Sequence, residues 1–514
     1  MTSASRPSPS GPPNSGDISA DSRQGSDARQ RLKKKAVRGS FWSAAESWGR
    51  HLIAAAVFVV LGRLLGPEDF GLIALALLVV GLAELAVSDT FAEALVQRET
   101  LEAGHCDAAF WFVLAVAALL SLLLLAAAAP LGLLLGDPRA EPLMQALSPV
   151  VLLSALATVP IALLRRKLHM RPLAWRSFVG LLAGGSVGIG MALAGFGVWS
   201  LVGQLLATKV MELALVWPAA RWRPGLSFDL ARFRELRSYG LPMIGLRLTL
   251  YVNVNLPRLF AGVVLGAASL GLLQIALRLT ALVKASLLNP VAQMALPTTA
   301  RVQGDPLLVA RVLSSASRLT ALMALPSLAG LSLVAPLLVP LLLGEQWSEA
   351  VPAVQLLALA GVPAALNRVN SSVLRGLGHA RWQLYLALGS FVLLAGGTAA
   401  VAPLGIDVIA LAVLAATVAM WPVKLYVFHR VTGLDVVGQL RDLLPIFLST
   451  VMMAGAVGLW QATVSPDLAP PLALLSEIAV GAATFALAIL AMARSALRDC
   501  LQVLAAARGA ARAA

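Results

Sequence analysis

Arg247, Tyr251, Asn255 and Arg258 follow one another at intervals of 4, 4 and 3 residues in an apolar stretch of the chain. At about 100° per helical residue these intervals keep all four within an arc of about 80°, a polar stripe on one helix face. Two guanidinium groups in such a stripe can grip a diphosphate, because each presents a planar fork of donors that matches phosphate oxygens and never loses its charge. The competing reading pairs both arginines with acids in a structural network. Arg50, four residues after Glu46 in an earlier apolar stretch, is either neutralised locally or joins Arg247 at the same site. Arg278 and Lys284 supply two more cations further along. Glu84 and Lys284 lie 200 residues apart at equivalent places of an internal repeat, so they are candidates for a gate that pairs in one conformation and parts in the other. Asp89 and Glu93 are like charges four residues apart, an arrangement in which one carboxyl tends to hold a proton and which suits proton coupling. The alternative puts both in water at the membrane boundary.

The elements that must position these groups are membrane helices. Of 514 residues 59% are hydrophobic and only 13% charged, more apolar surface than an aqueous fold can hide. Residues 1–28 are rich in Ser, Pro, Gly and Asp and read as disordered, and the basic run from Arg29 to Arg38 follows. Fourteen apolar segments come after it, with approximate limits 41–64, 70–96, 108–135, 143–164, 177–195, 198–217, 239–264, 270–296, 319–343, 351–374, 382–402, 406–429, 443–462 and 472–493. Each is about long enough to cross a hydrocarbon core of about 30 Å, and the first is too long for a cleaved signal. With the N-terminus inside, the inside segments hold thirty of the 40 Lys and Arg, and the outside loops hold one, Arg139. Miscounting one span would destroy that split, so both ends are expected in the cytoplasm. The formal charge of +14 therefore reports membrane orientation and not nucleic acid. Cys106 and Cys500 are too far apart in the chain to suggest a disulfide framework or a cysteine metal site, and no cofactor is expected.

The chain also resembles itself. Leu65-Gly66-Pro-Glu-Asp-Phe70-Gly71 returns as Leu265-Gly266-Ala-Ala-Ser-Leu270-Gly271. Leu-Leu-Leu-Gly136-Asp137 returns as Leu-Leu-Leu-Gly344-Glu345, and Leu164-Arg165 with His169 and Arg171 returns as Leu374-Arg375 with His379 and Arg381. Three matches in one order, at equivalent loops, indicate a duplication. Each copy holds six spans, an even number, so the two six-helix bundles are related by an axis along the membrane normal. The expected fold is all-α and polytopic: a tail over 1–38, bundles over 39–220 and 239–430, a basic linker over 221–238, two extra spans within 431–493 and a tail over 494–514.

The segments LGPEDFGLIALA at 65–76, GFGVWSLVGQLL at 195–206, LGAASLGLLQIALRL at 265–279, Leu296-Pro297 with Arg301, and PLLLGEQWSEAVPAVQLLALAG at 340–361 resemble one family. It is the polysaccharide transporters, or O-antigen-type flippases, of the multidrug/oligosaccharidyl-lipid/polysaccharide exporter superfamily, and the likeness extends over most of residues 39–430. The resemblance implies two bundles facing each other across a central cationic cavity. It also implies a flippase that carries undecaprenyl-diphosphate-linked oligosaccharide across the bacterial inner membrane by alternating access. Many such relatives carry an acid shortly after an Asn in the seventh span, where this chain reads Asn255-Leu256-Pro257-Arg258, so any coupling role of that acid has no counterpart here. The resemblance thus adds Arg50 and Arg278 to the stripe as expected contacts of the anionic head.

A membrane glycan polymerase or ligase is the alternative of another class. Such enzymes usually need a large soluble loop or domain, and no loop here exceeds about 25 residues. A drug or cation exporter of the same superfamily would favour an acidic cavity, whereas nine Lys and Arg lie within the spans. No nucleic acid partner is expected. A monomer is the default, and a polysaccharide polymerase is a candidate partner.

Overall fold

The computed structural model describes residues 49–50, 52–87, 90–97, 101–225, 230–287 and 305–492, and these residues contain helices and no strand. The N-terminal tail, Asp89, part of the basic linker, Leu296-Pro297 with Arg301 and the C-terminal tail lie outside the described residues. In chain order the helices are α1 (Leu52–Leu64), α2 (Pro67–Val87), α3 (Thr90–Gln97), α4 (Ala103–Leu134), α5 (Ala140–Leu147), α6 (Pro149–Arg166), α7 (Met170–Leu193) and α8 (Trp199–Ala220). They continue with α9 (Leu230–Leu287), α10 (Pro306–Leu343), α11 (Val351–Gly376), α12 (Ala380–Val401), α13 (Ile406–Thr432), α14 (Val436–Thr463) and α15 (Pro470–Met492). Among the described residues 12 helices are long and apolar enough to cross a membrane, and α1 is a shorter apolar helix.

Local chemistry sets many of the boundaries. Pro67 opens α2 with Glu68 and Asp69 in its first turn, where the positive end of the helix dipole favours acids. Asp305 caps α10 by accepting from the backbone N–H of Leu307 and Leu308, and Asp435 caps α14 by accepting from Gly438. The expected span at 143–164 divides into α5 and α6, because Pro149 has no N–H to continue the helical ladder past Ser148. The turn expected at 265–271 narrows to one residue. Gly266, at φ 85° and ψ 178°, breaks α9 into two helical segments.

The sequence repeat returns as repeated geometry. Gly136 and Gly344 both take positive φ, 81° and 105°. At the later turn His169 N–H donates to Leu164 O at 2.9 Å and His379 N–H donates to Leu374 O at 3.0 Å, with Leu168 (φ 55°) and Gly378 (φ 83°) in the left-handed region. The same turn is built twice, once at the extra backbone cost of a leucine. The most extended apolar cluster runs through α1, α2, α4–α6, α8, both segments of α9, α10, α11 and α13, with Leu75, Val80, Leu270 and Ile275 fully buried, and smaller clusters surround it. Large side chains on the periphery stay bare, among them Leu122 at 63%, Leu134 at 71% and Val392 at 68%, as a lipid-facing surface requires.

Candidate functional site

α2 and α9 are the helices on which the polar groups converge. At their closest point Gly71 and Gly271 cross: a Cβ on Gly71 would collide with the carbonyl oxygen of Ala267, and one on Gly271 would collide with the carbonyl oxygen of Pro67. The contact is reciprocal at the repeat offset, so the two glycine-marked turns bind each other as equivalent partners. From this crossing the first segment of α9 runs away alongside α2, carrying the polar stripe with it.

The stripe is packed onto α2 and α3. Tyr251 Oη donates to Leu77 O and Leu78 O at 3.2 and 2.9 Å, filling the space left by Gly81. Arg247 Nη2 bonds Glu93 Oε1 on α3 at 2.5 Å. Asn255 Nδ2 donates to Tyr251 O at 2.9 Å, and its Oδ1 accepts from Arg258 Nη1. Of the two arginines in the stripe, then, Arg247 is held in an ion pair and Arg258 is not. The Nε of Arg258 is buried with no hydrogen-bond partner among the described residues.

Arg258 has company at its own depth. Counting 1.5 Å per residue from the Gly266 break, Arg258 lies about 12 Å down one segment of α9 and Arg278 about 18 Å down the other. The two are within electrostatic reach of each other. Arg278 is exposed although it sits in mid-span, and its guanidinium carbon lies 5.2 Å from the ring centroid of Phe58 on α1. Phe58 is itself buried against Phe70, in a stack that continues to Trp347. Deeper along α9, Lys284 stands within electrostatic reach of Arg368 on α11. Two pairs of cations thus lie along α9, Arg258 with Arg278 and, further on, Lys284 with Arg368 of α11. Such a set can neutralise a doubly charged anion at a depth where water competes poorly.

Arg50 and Glu84 belong elsewhere. Both line a separate polar cavity of about 260 Å³ among α2, α3, α6, α7 and α8, together with Ser154, Arg165, Arg176, Lys209 and Glu212. There Glu84 is paired with Lys209 Nζ and accepts from Ser154 Oγ at 2.6 Å, while Arg176 lies 3.5 Å from Glu212. The expected pair of Glu84 with Lys284 is therefore not made in this conformation, because a lysine on α8 already satisfies the carboxylate. Nor does Arg50 share a cluster with Arg247, which Glu93 engages from α3. Of the like-charged acids, Glu93 meets a cation, and Asp89 is outside the described residues.

A lock absent from the sequence reading closes the end of the molecule that carries the crossing. Arg63, at the end of α1, donates to the carbonyls of Leu341 and Leu342 at the end of α10. Trp347 Nε1 donates to Gly62 O at 2.8 Å from a fully buried position, and Gln346 Nε2 donates to Gly62 O and Leu65 O. Nearby, Arg139 bonds Glu68 at 2.7 Å and Asp137 at 2.9 Å, and its guanidinium holds the Asp137 carboxyl below the usual carboxylate range. The signal for this lock was the segment Gly344-Glu-Gln-Trp347, quoted above only for its family likeness. No group of three or more His, Cys, Asp or Glu among the described residues could hold a metal ion.

Comparison with known proteins now bears on the chain. A family described as polysaccharide biosynthesis protein matches residues 60–352. The succinoglycan biosynthesis transport protein ExoT of Rhizobium meliloti is 29% identical over 328 residues, covering 63% of this chain and 66% of that protein. The lipopolysaccharide biosynthesis protein WzxC of Escherichia coli is 24% identical over 346 residues, covering 67% and 70%. The chain thus spans about two thirds of the length of these relatives. Among solved structures, the lipid II flippase MurJ in an inward closed conformation superposes with a TM-score of 0.74 at 12% identity, covering 89% of this chain and 99% of that one. An inward-facing multidrug resistance MATE family transporter gives 0.60 at 17%, covering 75% and 94%. Both share the fold. The chain therefore has the fold of a multi-span membrane protein, shared with these two solved structures.

Proposed function

We propose that this chain, which belongs to the polysaccharide biosynthesis protein family, is a flippase that carries a polyprenyl-diphosphate-linked oligosaccharide across the bacterial inner membrane. The observation that carries the reading is the pair of Arg258 and Arg278 on the two segments of α9 at membrane depth, where Arg258 keeps a buried Nε with no partner among the described residues and Arg278 faces the ring of Phe58. An exporter of cationic drugs would need the opposite sign there. A diphosphate head would lie against the guanidinium forks while its sugars occupy the space between the bundles. The prenyl tail would remain in apolar surroundings, for which the cavity of about 480 Å³ between α10, α14 and α15 offers walls of Leu331, Val334, Met453, Val457 and Phe485.

In this reading the chain has fourteen spans. The short α1 is one of them, residues 49–50 ahead of it being helical as well, and Gly266 divides α9 into two. Two six-helix bundles pack about an axis through the Gly71–Gly271 crossing, followed by the C-terminal pair. The end carrying Arg165, Arg166, Lys167, Arg221 and Arg223 is cytoplasmic by the distribution of positive charge, as are both termini. The lock of Arg63, Gln346 and Trp347 then closes the outside, and Arg247–Glu93 holds α9 to α3 toward the inside. Alternating access requires each set to open in turn.

The test follows lipid-linked repeats in cells lacking the protein, with Arg258→Gln and Arg278→Gln variants supplied at equal membrane levels. Full repeats should accumulate on the cytoplasmic leaflet and remain there with either variant. Missing repeat synthesis or a defect in polymer length alone would point to an enzyme and overturn the transport reading. Full rescue by both variants would overturn the site.

A further inference from the structure

Beyond the transport path lies a second cationic cavity, of about 500 Å³, where α4 begins and α6 and α8 end. Arg166, Lys167, Arg221 and Trp222 line its polar side, and Leu101, Cys106, Leu163 and Ala220 line its apolar side. We propose that this cavity is a binding site for the phosphate headgroup of an anionic membrane phospholipid, with the top of an acyl chain against its apolar wall. The proposal rests on the membrane reading of the fold, not on the substrate assigned above.

Three features make the cavity a built site. First, the turn bearing Arg221 and Trp222 is pinned to α4 at both polar atoms of one residue: Gly225 N–H donates to Asp107 Oδ1 at 2.9 Å, and Gly225 O accepts from Trp111 Nε1 at 2.7 Å. A side chain at Gly225 would strike the Asp107 carboxylate, so the glycine is what permits the anchor. Arg221 itself is held at φ 49°, in the left-handed region, a strained backbone for a residue other than glycine. Second, an aromatic cluster of Phe110, Trp111, Trp217 and Trp222 backs the cavity, with Phe110 5.5 Å from Trp222 and 5.3 Å from Trp111. Tryptophan at a helix end is the residue that suits the headgroup level of a bilayer. Third, Arg166 is oriented by its bonds to Leu95 O and Val96 O at the end of α3, and the one acid on the rim, Glu102, forms a capping box with His105 at the start of α4. Among the described lining residues Arg166, Lys167 and Arg221 stand against Glu102, an excess of positive charge. It sits at helix termini and not at mid-span, and it is part apolar, so a lipid headgroup fits it better than a soluble anion does. Basic cavities between spans on one membrane face are the usual seats of anionic headgroups.

The experiment measures lipid retained by the purified full-length protein in native mass spectrometry, after exchange into nanodiscs of phosphatidylcholine alone or with phosphatidylglycerol or cardiolipin. The Lys167→Gln/Arg221→Asn pair removes two cations, asparagine being chosen because it tolerates a left-handed backbone. Retention of the anionic lipid should fall about thirtyfold with the pair, on the scale of about fivefold for each surface cation. Trp222→Leu should weaken retention without changing its charge selectivity. A control pair on two exposed cations elsewhere, Arg381→Gln/Arg430→Gln, should leave retention unchanged. An equal fall with the control pair would mean general surface charge and overturn the site. Displacement of the lipid by millimolar inorganic phosphate would make it a free-phosphate site and overturn the lipid source. Retention of undecaprenyl diphosphate but not phosphatidylglycerol would make it part of the substrate path, also against the proposal. Failure of the transport reading would leave all these outcomes intact, because none of them reads transport.

Discussion

Alanine at Gly271 is the substitution whose consequence the geometry fixes most tightly. Gly271 and Gly71 cross so closely that the added methyl meets a backbone carbonyl, Pro67 O, and lies near the Gly71 amide nitrogen at 3.1 Å. Carbon and its neighbours normally touch at about 3.5 Å, so the crossing has to open by a substantial part of a van der Waals diameter. Overpacking of a well-filled interior costs about 1–3 kcal/mol, and the upper end applies because the obstacle is main chain in two helices and cannot swing aside. Gly71→Ala should cost the same, since Ala267 O stands where Pro67 O stands for the partner. The double variant should cost clearly less than twice as much, because one separation accommodates both methyls. The assay is thermal unfolding of the purified protein in detergent, with Gly190→Ala and Gly396→Ala as controls. A methyl at either control position meets nothing within 4 Å, and both lie inside helices, so those substitutions should stabilise by up to about 1 kcal/mol. The same chemical change thus carries opposite signs at two kinds of site. If Gly271→Ala melts with the controls, or the two crossing variants are additive, the reciprocal crossing is not the fulcrum described.

Three further outcomes follow from named contacts. Lys209→Met leaves Glu84 with Ser154 alone in a cavity walled from lipid, so it should destabilise by about 3 kcal/mol, and Lys209→Met/Glu84→Gln should recover more than half of that loss in the same melt. A double-mutant cycle on Arg247 and Glu93 should give a coupling of only about 0.5–1 kcal/mol, because Glu93 is 40% exposed and water screens the pair; a coupling near zero would remove it as a closure element. Asp137 has its folded-state pKa depressed by Arg139, so its contribution is complete above the ordinary aspartate value near 4. That contribution should disappear as pH falls through the lower folded value, and Asp137→Asn should flatten the acid limb of the stability profile relative to wild type.

Which features were legible in the sequence follows from how far each cause reaches along the chain. The glycine turns at 136, 266 and 344 were visible because a left-handed or broken backbone is a property of one or two residues. The repeated turn ending at His169 and His379 was visible for the same reason, and its hydrogen bonds differ by only 0.1 Å between copies. Helical period also put Arg247, Tyr251, Asn255 and Arg258 on one face correctly, since the four face α2, α3 or one another. Period says which face a residue occupies and nothing about what that face meets. Glu84 could be matched to Lys284 by repeat offset, yet Lys209, 125 residues away on α8, reaches it first. The α1–α10 lock was equally out of reach. Trp347 donates to a carbonyl 285 residues earlier, and a backbone acceptor leaves no mark in side-chain identity.

The same limit explains why the proposed anion site emerges only once the α9 break is known. Arg258 and Arg278 are 20 residues apart, which on a straight helix would separate them by about 30 Å. The reversal at Gly266 folds that separation back, so both reach similar depth and sense each other's charge. Each cation at bilayer depth costs about 2.5–3.5 kcal/mol on insertion scales, and repulsion between them adds to it. Lys209 and Arg247 are each paired with an acid, whereas no ion pair among the described residues engages Arg258. Leaving Arg258 with an unpartnered Nε keeps part of that cost in the empty state, where a bound diphosphate would relieve it. A ligand can shift a conformational equilibrium only by the difference in its affinity for the two states. Cations whose environment changes when the α1–α10 lock or the Arg247–Glu93 pair opens would supply such a difference, which a fully compensated salt-bridge network could not.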